Sequence, residues 1–172
     1  MTDVKTIIKF LLMDSGVRFF FYRSCMHFFY SRGWYWTSRY ISNRLQRAYG
    51  VYLPPNTVMP RSVILRHPIG VVIGEGVVLG ENVVIYQNVT LGGARVGDAK
   101  MMRYPTIGDN TVIFAGAVLL GKIKIGKNCT IGANAVVLQD VPDNATAVGI
   151  PARIILKPNP LQISATVDQE AD

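Results

Sequence analysis

The chain has 172 residues, 49% of them hydrophobic and 17% charged, with a formal net charge of +7. That composition suits one domain with a core of its own and excludes a disordered chain. The two cysteines, Cys25 and Cys129, and the two histidines, His27 and His67, are too few for a disulfide framework or a cysteine-rich metal site. A three-histidine zinc site cannot be built within one chain, although a symmetric oligomer could pool one histidine per subunit. No metal is expected, and a reducing, cytoplasmic compartment is the simpler reading.

The charge is unevenly placed. Residues 1–50 hold Lys5, Lys9, Arg18, Arg23, Arg32, Arg39, Arg44 and Arg47 against Asp3 and Asp14, a balance of +6, so the remaining 122 residues sum to +1. Any anionic partner is therefore chiefly a partner of this segment, and no nucleic acid is expected. No run reaches the roughly 18 apolar residues of a membrane span. Asp14, Arg18 and Arg23 also interrupt the apolar stretch that a signal peptide would need.

Residues 4–48 read as one or two helices rich in aromatics, from Phe19, Phe20, Phe21 and Tyr22 through Phe28, Phe29 and Tyr30 to Trp34, Tyr35 and Trp36. Arg18, Arg32 and Arg39 share a seven-residue spacing, so one helical face is basic if Gly33 does not break the helix. Two accounts are open. Phe20, Phe28, Phe29 and Trp34 pack on the following domain or between subunits, or some of them stay exposed beside Arg18, Arg32, Arg39 and Arg44. In the second account residues 1–45 make a peripheral contact with the inner face of a membrane.

From residue 53 the sequence repeats. Large aliphatics stand at Leu53, Met59 and Leu65, then at Ile73, Leu79, Ile85 and Leu91, and after a gap at Ile107, Ile113, Leu119, Ile125, Ile131 and Val137, six apart within each block. Four residues after many anchors comes a small or β-branched residue: Val77, Val83, Val89, Thr111, Ala117, Ile123, Cys129 and Ala135. Glycine often follows the anchor directly, at Gly74, Gly80, Gly92, Gly108, Gly126 and Gly132. A period of six fits neither an amphipathic helix nor a simple alternation. Two inward positions per six residues, with glycine where the chain turns sharply, describe one flat side of a prism. Three sides close a coil of about eighteen residues, and successive coils stack as parallel strands. The expectation is a mainly β fold, a parallel β-helix of about five coils over residues 51–158. Residues 1–50 form a short helical segment before it, and residues 159–172 a flexible tail.

Two breaks in the period matter. Leu65 to Ile73 is eight residues, which places two extra near Arg66-His67-Pro68. Leu91 to Ile107 is sixteen, so about ten residues leave the prism between Gly93 and Thr106. That extended loop, Ala94 to Pro105, carries Arg95, Lys100, Met101, Met102, Arg103 and Tyr104. Excursions from a rigid scaffold are common places for function.

These residues resemble a known family. Val72-Ile73-Gly74-Glu75, Asn88-Val89-Thr90-Leu91-Gly92-Gly93, Ile131-Gly132-Ala133 and Ala147-Val148-Gly149-Ile150-Pro151-Ala152-Arg153 are similar to the catalytic domain of serine O-acetyltransferases, hexapeptide-repeat acyltransferases. The short aromatic N-terminus is more like that of related enzymes of surface-polysaccharide biosynthesis. The resemblance, over about residues 50–158, implies a left-handed β-helix, a homotrimer with active sites between subunits, and acetyl-CoA lying along the coils.

Carried over by that resemblance, the catalytic histidine is His67. It would take the proton of the acceptor hydroxyl as the oxygen attacks the thioester. Backbone N–H groups of Gly92 and Gly93 would hold the oxyanion. For acetyl-CoA the matching positions are Ala115-Gly116 and Ala133-Asn134; the two alanines, one coil apart, would leave a groove for the pantetheine arm. Arg153 and Lys157 would meet its phosphates. Glu75 or a backbone carbonyl would orient His67.

The departures concern the acceptor. Serine acetyltransferases carry an aspartate just before the histidine, where this chain has Arg66, and an orienting aspartate in a segment matching Val51-Tyr52-Leu53, where it has Tyr52. Their loop ends Arg-His-Pro; here it reads Arg103-Tyr104-Pro105. An ammonium group facing Arg66 would be repelled, so free serine is expected to be a weak acceptor. The leading expectation is thus O-acetylation of a sugar or polysaccharide precursor. Serine acetylation feeding cysteine synthesis and a non-catalytic membrane-peripheral scaffold are the alternatives.

Overall fold

The computed structural model describes residues 15–156. Lys157, the tail after it and residues 1–14, with Lys5, Lys9, Asp3 and Asp14, lie outside the described residues. Fourteen short strands form three sheets that are the three faces of a left-handed prism. The first face holds β1 (Val51–Tyr52), β3 (Val71–Ile73), β6 (Thr90–Gly92), β9 (Val118–Leu120) and β12 (Val136–Val137). The second holds β4 (Val78–Leu79), β7 (Thr106–Ile107) and β10 (Lys124–Ile125), extended by bridges at Val58 and Val141. The third holds β2 (Ile64–Leu65), β5 (Val84–Ile85), β8 (Val112–Ile113), β11 (Thr130–Ile131) and β13 (Ala145–Val148), closed by antiparallel β14 (Arg153–Leu156). The chain therefore makes five coils.

Register shows how the sequence specifies this. Val72 pairs with Thr90, Val112 with Thr130 and Val118 with Val136, each an offset of 18. The first coil is wider, with Val51 on Val71 and Ile64 on Val84, an offset of 20. Thr90 on Val118 is an offset of 28, one coil plus the ten residues of the loop. The last coil is short, with Thr130 on Thr146, an offset of 16. The aliphatic anchors from Leu53 to Val137 are buried, apart from Leu65, which is half-exposed beside the widened corner. The residues four places on, Val77 to Ala135, are buried as well. Removing a continuous column of side chains from water holds the coils together.

The turns correct one sequence expectation. Glycines directly after the anchors do not supply the sharp turn. None of Gly74, Gly80, Gly92, Gly108, Gly126 and Gly132 has a positive φ. They allow coils to touch: a Cβ on Gly108 would lie 2.6 Å from the backbone of Gly126. The left-handed turn positions fall three residues after the anchor and are mostly asparagine: Asn82, Asn88, Asn110, Asn128 and Asn134, at φ between 54° and 58°. Asparagine tolerates that conformation and bonds locally; Asn82 Nδ2 donates to Asn110 Oδ1 at 3.2 Å.

Before the prism, α1 (Ser15–Ser31) and α2 (Tyr35–Tyr49) pack against each other and cap its first coil. Ser38 Oγ donates to the Met26 carbonyl and Ser42 Oγ to the Leu53 carbonyl, both at 2.8 Å. Phe19, Met26 and Leu45 join the prism core. Gly33, at φ 77°, breaks the helix between Ser31 and Tyr35, so Arg18, Arg32 and Arg39 do not form one continuous basic face. The aromatics divide between both sequence accounts: Phe19 is buried and Phe20 half-buried, whereas Phe28, Trp34, Tyr35, Trp36 and Tyr40 are exposed. Among the described residues no helix is long and apolar enough to cross a membrane.

Because the Gly108 contact is backbone on backbone, neither side can yield. Gly108→Ala is expected to destabilise the fold by roughly 1–3 kcal/mol, as overpacked cores do. A urea titration would show it as a lower midpoint; an unchanged midpoint would mean the coils separate freely there.

Candidate active site

The two extra residues of the first coil lie between Leu65 and Val71, where the third face turns into the first. Arg66 N–H still reaches the Ile85 carbonyl at 2.7 Å, so the ladder continues up to His67. His67 then adopts φ 51°, and its carbonyl accepts the Ile69 N–H at 2.7 Å. A left-handed backbone is uncommon for a residue with a Cβ. It turns the chain outward and leaves the Arg66 and His67 side chains exposed at the edge.

Further along the same edge the coils stack. Asn88 N–H donates to the Ile69 carbonyl at 2.8 Å, Gly116 to Gln87 at 3.0 Å and Asn134 to Ala115 at 2.9 Å. Ala115 and Ala133 therefore share this edge, half-buried and exposed respectively. Gly116 and Asn134 are also structural partners: Gly116 is at φ 73°, and a Cβ there would overlap the Asn134 amide. The edge ends in an open cavity of about 410 Å³ lined by Val148 to Arg153, with the Arg153 side chain exposed.

The opposite edge of the first face carries a second group. The chain leaves the prism at Gly92 and Gly93 and returns at Thr106. Gly92 stands in register with Leu120, and its carbonyl accepts Gly121 N–H at 2.9 Å. Gly93 is the first residue past the ladder, and a Cβ there would lie 2.9 Å from that of Asp98. Asp98 organises the loop: its Oδ2 accepts the N–H groups of Ala94 and Arg95, both at 2.8 Å, and its carbonyl accepts that of Arg103 at 3.0 Å. Tyr104 then lies across Gly74 and Gly76, on both of which a Cβ would overlap its ring. Burial first, and then the charge of Glu75 with weaker contributions from Tyr52 and Asp98, pushes the Tyr104 phenol above its ordinary pKa, so it stays protonated and able to donate.

The sequence-derived residues therefore fall into two groups. Arg66, His67 and the alanine edge lie on one side of the first face. Glu75, Gly92, Gly93, Arg103 and Tyr104 lie on the other, with Tyr52 exposed on β1 between them. Within one chain Glu75 does not meet His67: β3 separates them, about 13 Å from Gly70 to Gly74 at strand rise. Lys157 lies outside the described residues. Sequence reasoning missed Asp98, whose signal was its place as the only acid in an otherwise cationic loop, and Gly76, which seats Tyr104. Among the described residues no group of three or more histidine, cysteine or acidic side chains could hold a metal.

Residues 104–139 match the family model for bacterial transferase hexapeptide repeats, and residues 61–91 that for the hexapeptide repeat of succinyl-transferase. A serine acetyltransferase from Bacillus pumilus is 41% identical over 153 residues, 89% of this chain and 70% of that protein. The chain belongs to the hexapeptide-repeat family of acetyl-CoA-dependent acyltransferases. A serine acetyltransferase solved in complex with CoA is 36% identical with a TM-score of 0.76, covering 85% of this chain and 59% of its own. The Neisseria gonorrhoeae enzyme in complex with serine is 39% identical with a TM-score of 0.75, covering 83% and 58%. The chain thus spans less than two thirds of these solved relatives. They overturn the expectation of a sugar or polysaccharide acceptor: these similar proteins are serine acetyltransferases.

The Asp98 network predicts how the loop responds to damage. Asp98→Ala removes the acceptor for two N–H groups and should speed tryptic cleavage after Arg95, Lys100 and Arg103 severalfold, with the β-helix left intact. Cleavage at the wild-type rate would show that Tyr104 alone holds the loop.

Proposed function

We propose that the chain transfers the acetyl group of acetyl-CoA to the hydroxyl of serine, with His67 as general base. The observation that carries this reading is the identity of 41% with a serine acetyltransferase across 89% of the chain, a span that includes the widened corner at His67. His67 takes the hydroxyl proton as the oxygen attacks the thioester carbonyl, and the tetrahedral intermediate collapses with release of the CoA thiolate, which recovers that proton. Gly93, just past the ladder, is the freer of the two glycines to donate its N–H to the oxyanion. The pantetheine arm lies along Ala115, Gly116, Ala133 and Asn134, with Arg153 toward the phosphates.

The charge argument against serine weighed only its ammonium group. Serine is a zwitterion, and a guanidinium suits its carboxylate. Arg66 and Arg103 are both exposed and available for that contact. Tyr104, held protonated beside Glu75, supplies a donor where relatives carry histidine, and Tyr52 lines the same face. A homotrimer that sets the His67 edge of one subunit against the loop edge of the next would complete the site. The division into residues 1–50, 51–158 and 159–172 belongs to the same reading. The exposed Trp34, Tyr35, Trp36 and Tyr40 beside Arg39 suit peripheral contact with an anionic membrane, which the absence of cosedimentation with anionic vesicles at low salt would exclude.

The test is serine-dependent release of free CoA from acetyl-CoA. Wild-type protein is expected to turn over serine, and His67→Ala to lose about two to four decades of rate while keeping its circular dichroism. A wild-type protein inert toward serine, or a His67→Ala variant at full rate, would overturn the assignment.

A further inference from the structure

Away from the acetyl-transfer site, α1 and the first coil enclose an open cavity of about 400 Å³ lined by Arg23, Ser24, His27, Phe28, Ser31 and Arg61. Its chemistry is one-sided. Between Asp14 and Glu75 the sequence has eight arginines and no acidic residue. Among the described residues the ion pair is Lys127 with Asp109, far along the prism from this cavity. Arg23 is half-buried and donates to the Met59 carbonyl, which fixes its guanidinium at the junction of helix and prism. Burial, and then the neighbouring charge of Arg61, lowers the Arg23 pKa, as expected for two cations held near each other.

The remaining walls narrow the ligand class. Ser24 and Ser31 already donate their hydroxyl protons to the Phe20 and Phe28 carbonyls, at 2.8 and 2.9 Å, so the donors left for a ligand are Arg23, Arg61 and His27. Phe28 forms an apolar wall, with the Arg32 guanidinium 4.0 Å above its ring as a third cation. Two arginine forks and an imidazole beside an aromatic wall match a phosphate group carried on a larger molecule. The volume lies within the range of small-molecule pockets and exceeds what a bare anion fills.

We propose that this cavity binds a phosphate group, through Arg23, Arg61 and His27, on a ligand that also covers Phe28. The site is independent of the acetyl-transfer reading and stands or falls without it. The phosphate can come from a soluble phosphomonoester or from a lipid headgroup, and the test separates these sources.

Full-length protein is titrated with glycerol 3-phosphate in a calorimeter, and floated with phosphatidylcholine vesicles with and without phosphatidic acid. Saturable binding is expected in at least one arm, the calorimetric one for a soluble ligand and the phosphatidic-acid one for a lipid. Arg61→Gln and His27→Gln change exposed residues and keep the fold; each should weaken that binding, Arg61→Gln by roughly tenfold or more. Arg47→Gln, exposed and outside the cavity, should leave it unchanged, which separates a built site from general positive charge. Arg23→Gln is avoided because Arg23 also ties α1 to Met59. No binding in either arm overturns the proposal, as does binding that Arg61→Gln leaves untouched or that Arg47→Gln weakens equally.

Discussion

Everything in the β-helix depends on keeping each strand in register with the strand one coil away. Parallel strands this short have little stability of their own, because two or three residues make few ladder bonds. They persist because Ile73 sits on Leu91, Leu91 on Leu119 and Leu119 on Val137, so that apolar side chains form one column along each face. A slip of one residue would turn that column toward water on all three faces at once. The same register carries departures outward. Two residues added before Val71 and ten added after Gly92 do not disturb the coils on either side.

That constraint explains why the fold was legible and the turns were not. Inward positions are set by burial, which depends on residue type, so the aliphatic period reported them. Leu65 is the exception, since the wider corner beside it opens the prism. Glycine after the anchor is ambiguous on sequence alone, because turning sharply and allowing close approach both demand a missing side chain. The fold separates the two: Gly108 meets the Gly126 backbone, while the left-handed turn falls on Asn110. In the helical hairpin, aromatic content could not say which rings would be buried. Only tertiary packing selects Phe19, buried edge-on to Tyr49, over Trp36, which is 90% exposed.

The site was legible in part for a similar reason. His67 and the loop announced themselves as breaks in the period. The partnership of Tyr104 with Gly74 and Gly76 depends on how the loop folds back, which Asp98 decides through hydrogen bonds that leave no periodic trace. The acceptor was misjudged because one local charge, Arg66, was set against one end of a zwitterion. Likeness over most of the chain outweighs a charge change at an exposed position, where solvent weakens the repulsion.

The central claim is that one reaction site draws His67 from one edge of the first face and the loop from the opposite edge of a neighbouring copy. Subunit complementation tests it most directly. A His67→Ala chain and a Gly93→Val chain, each inactive alone, are coexpressed with different tags, and mixed oligomers are isolated by passage over both affinity matrices. The account predicts that mixed oligomers regain a substantial fraction of wild-type serine acetylation, because one interface then joins an intact His67 edge to an intact loop. Mixed oligomers as inactive as their parents would contradict it and would place both groups in the same subunit's site.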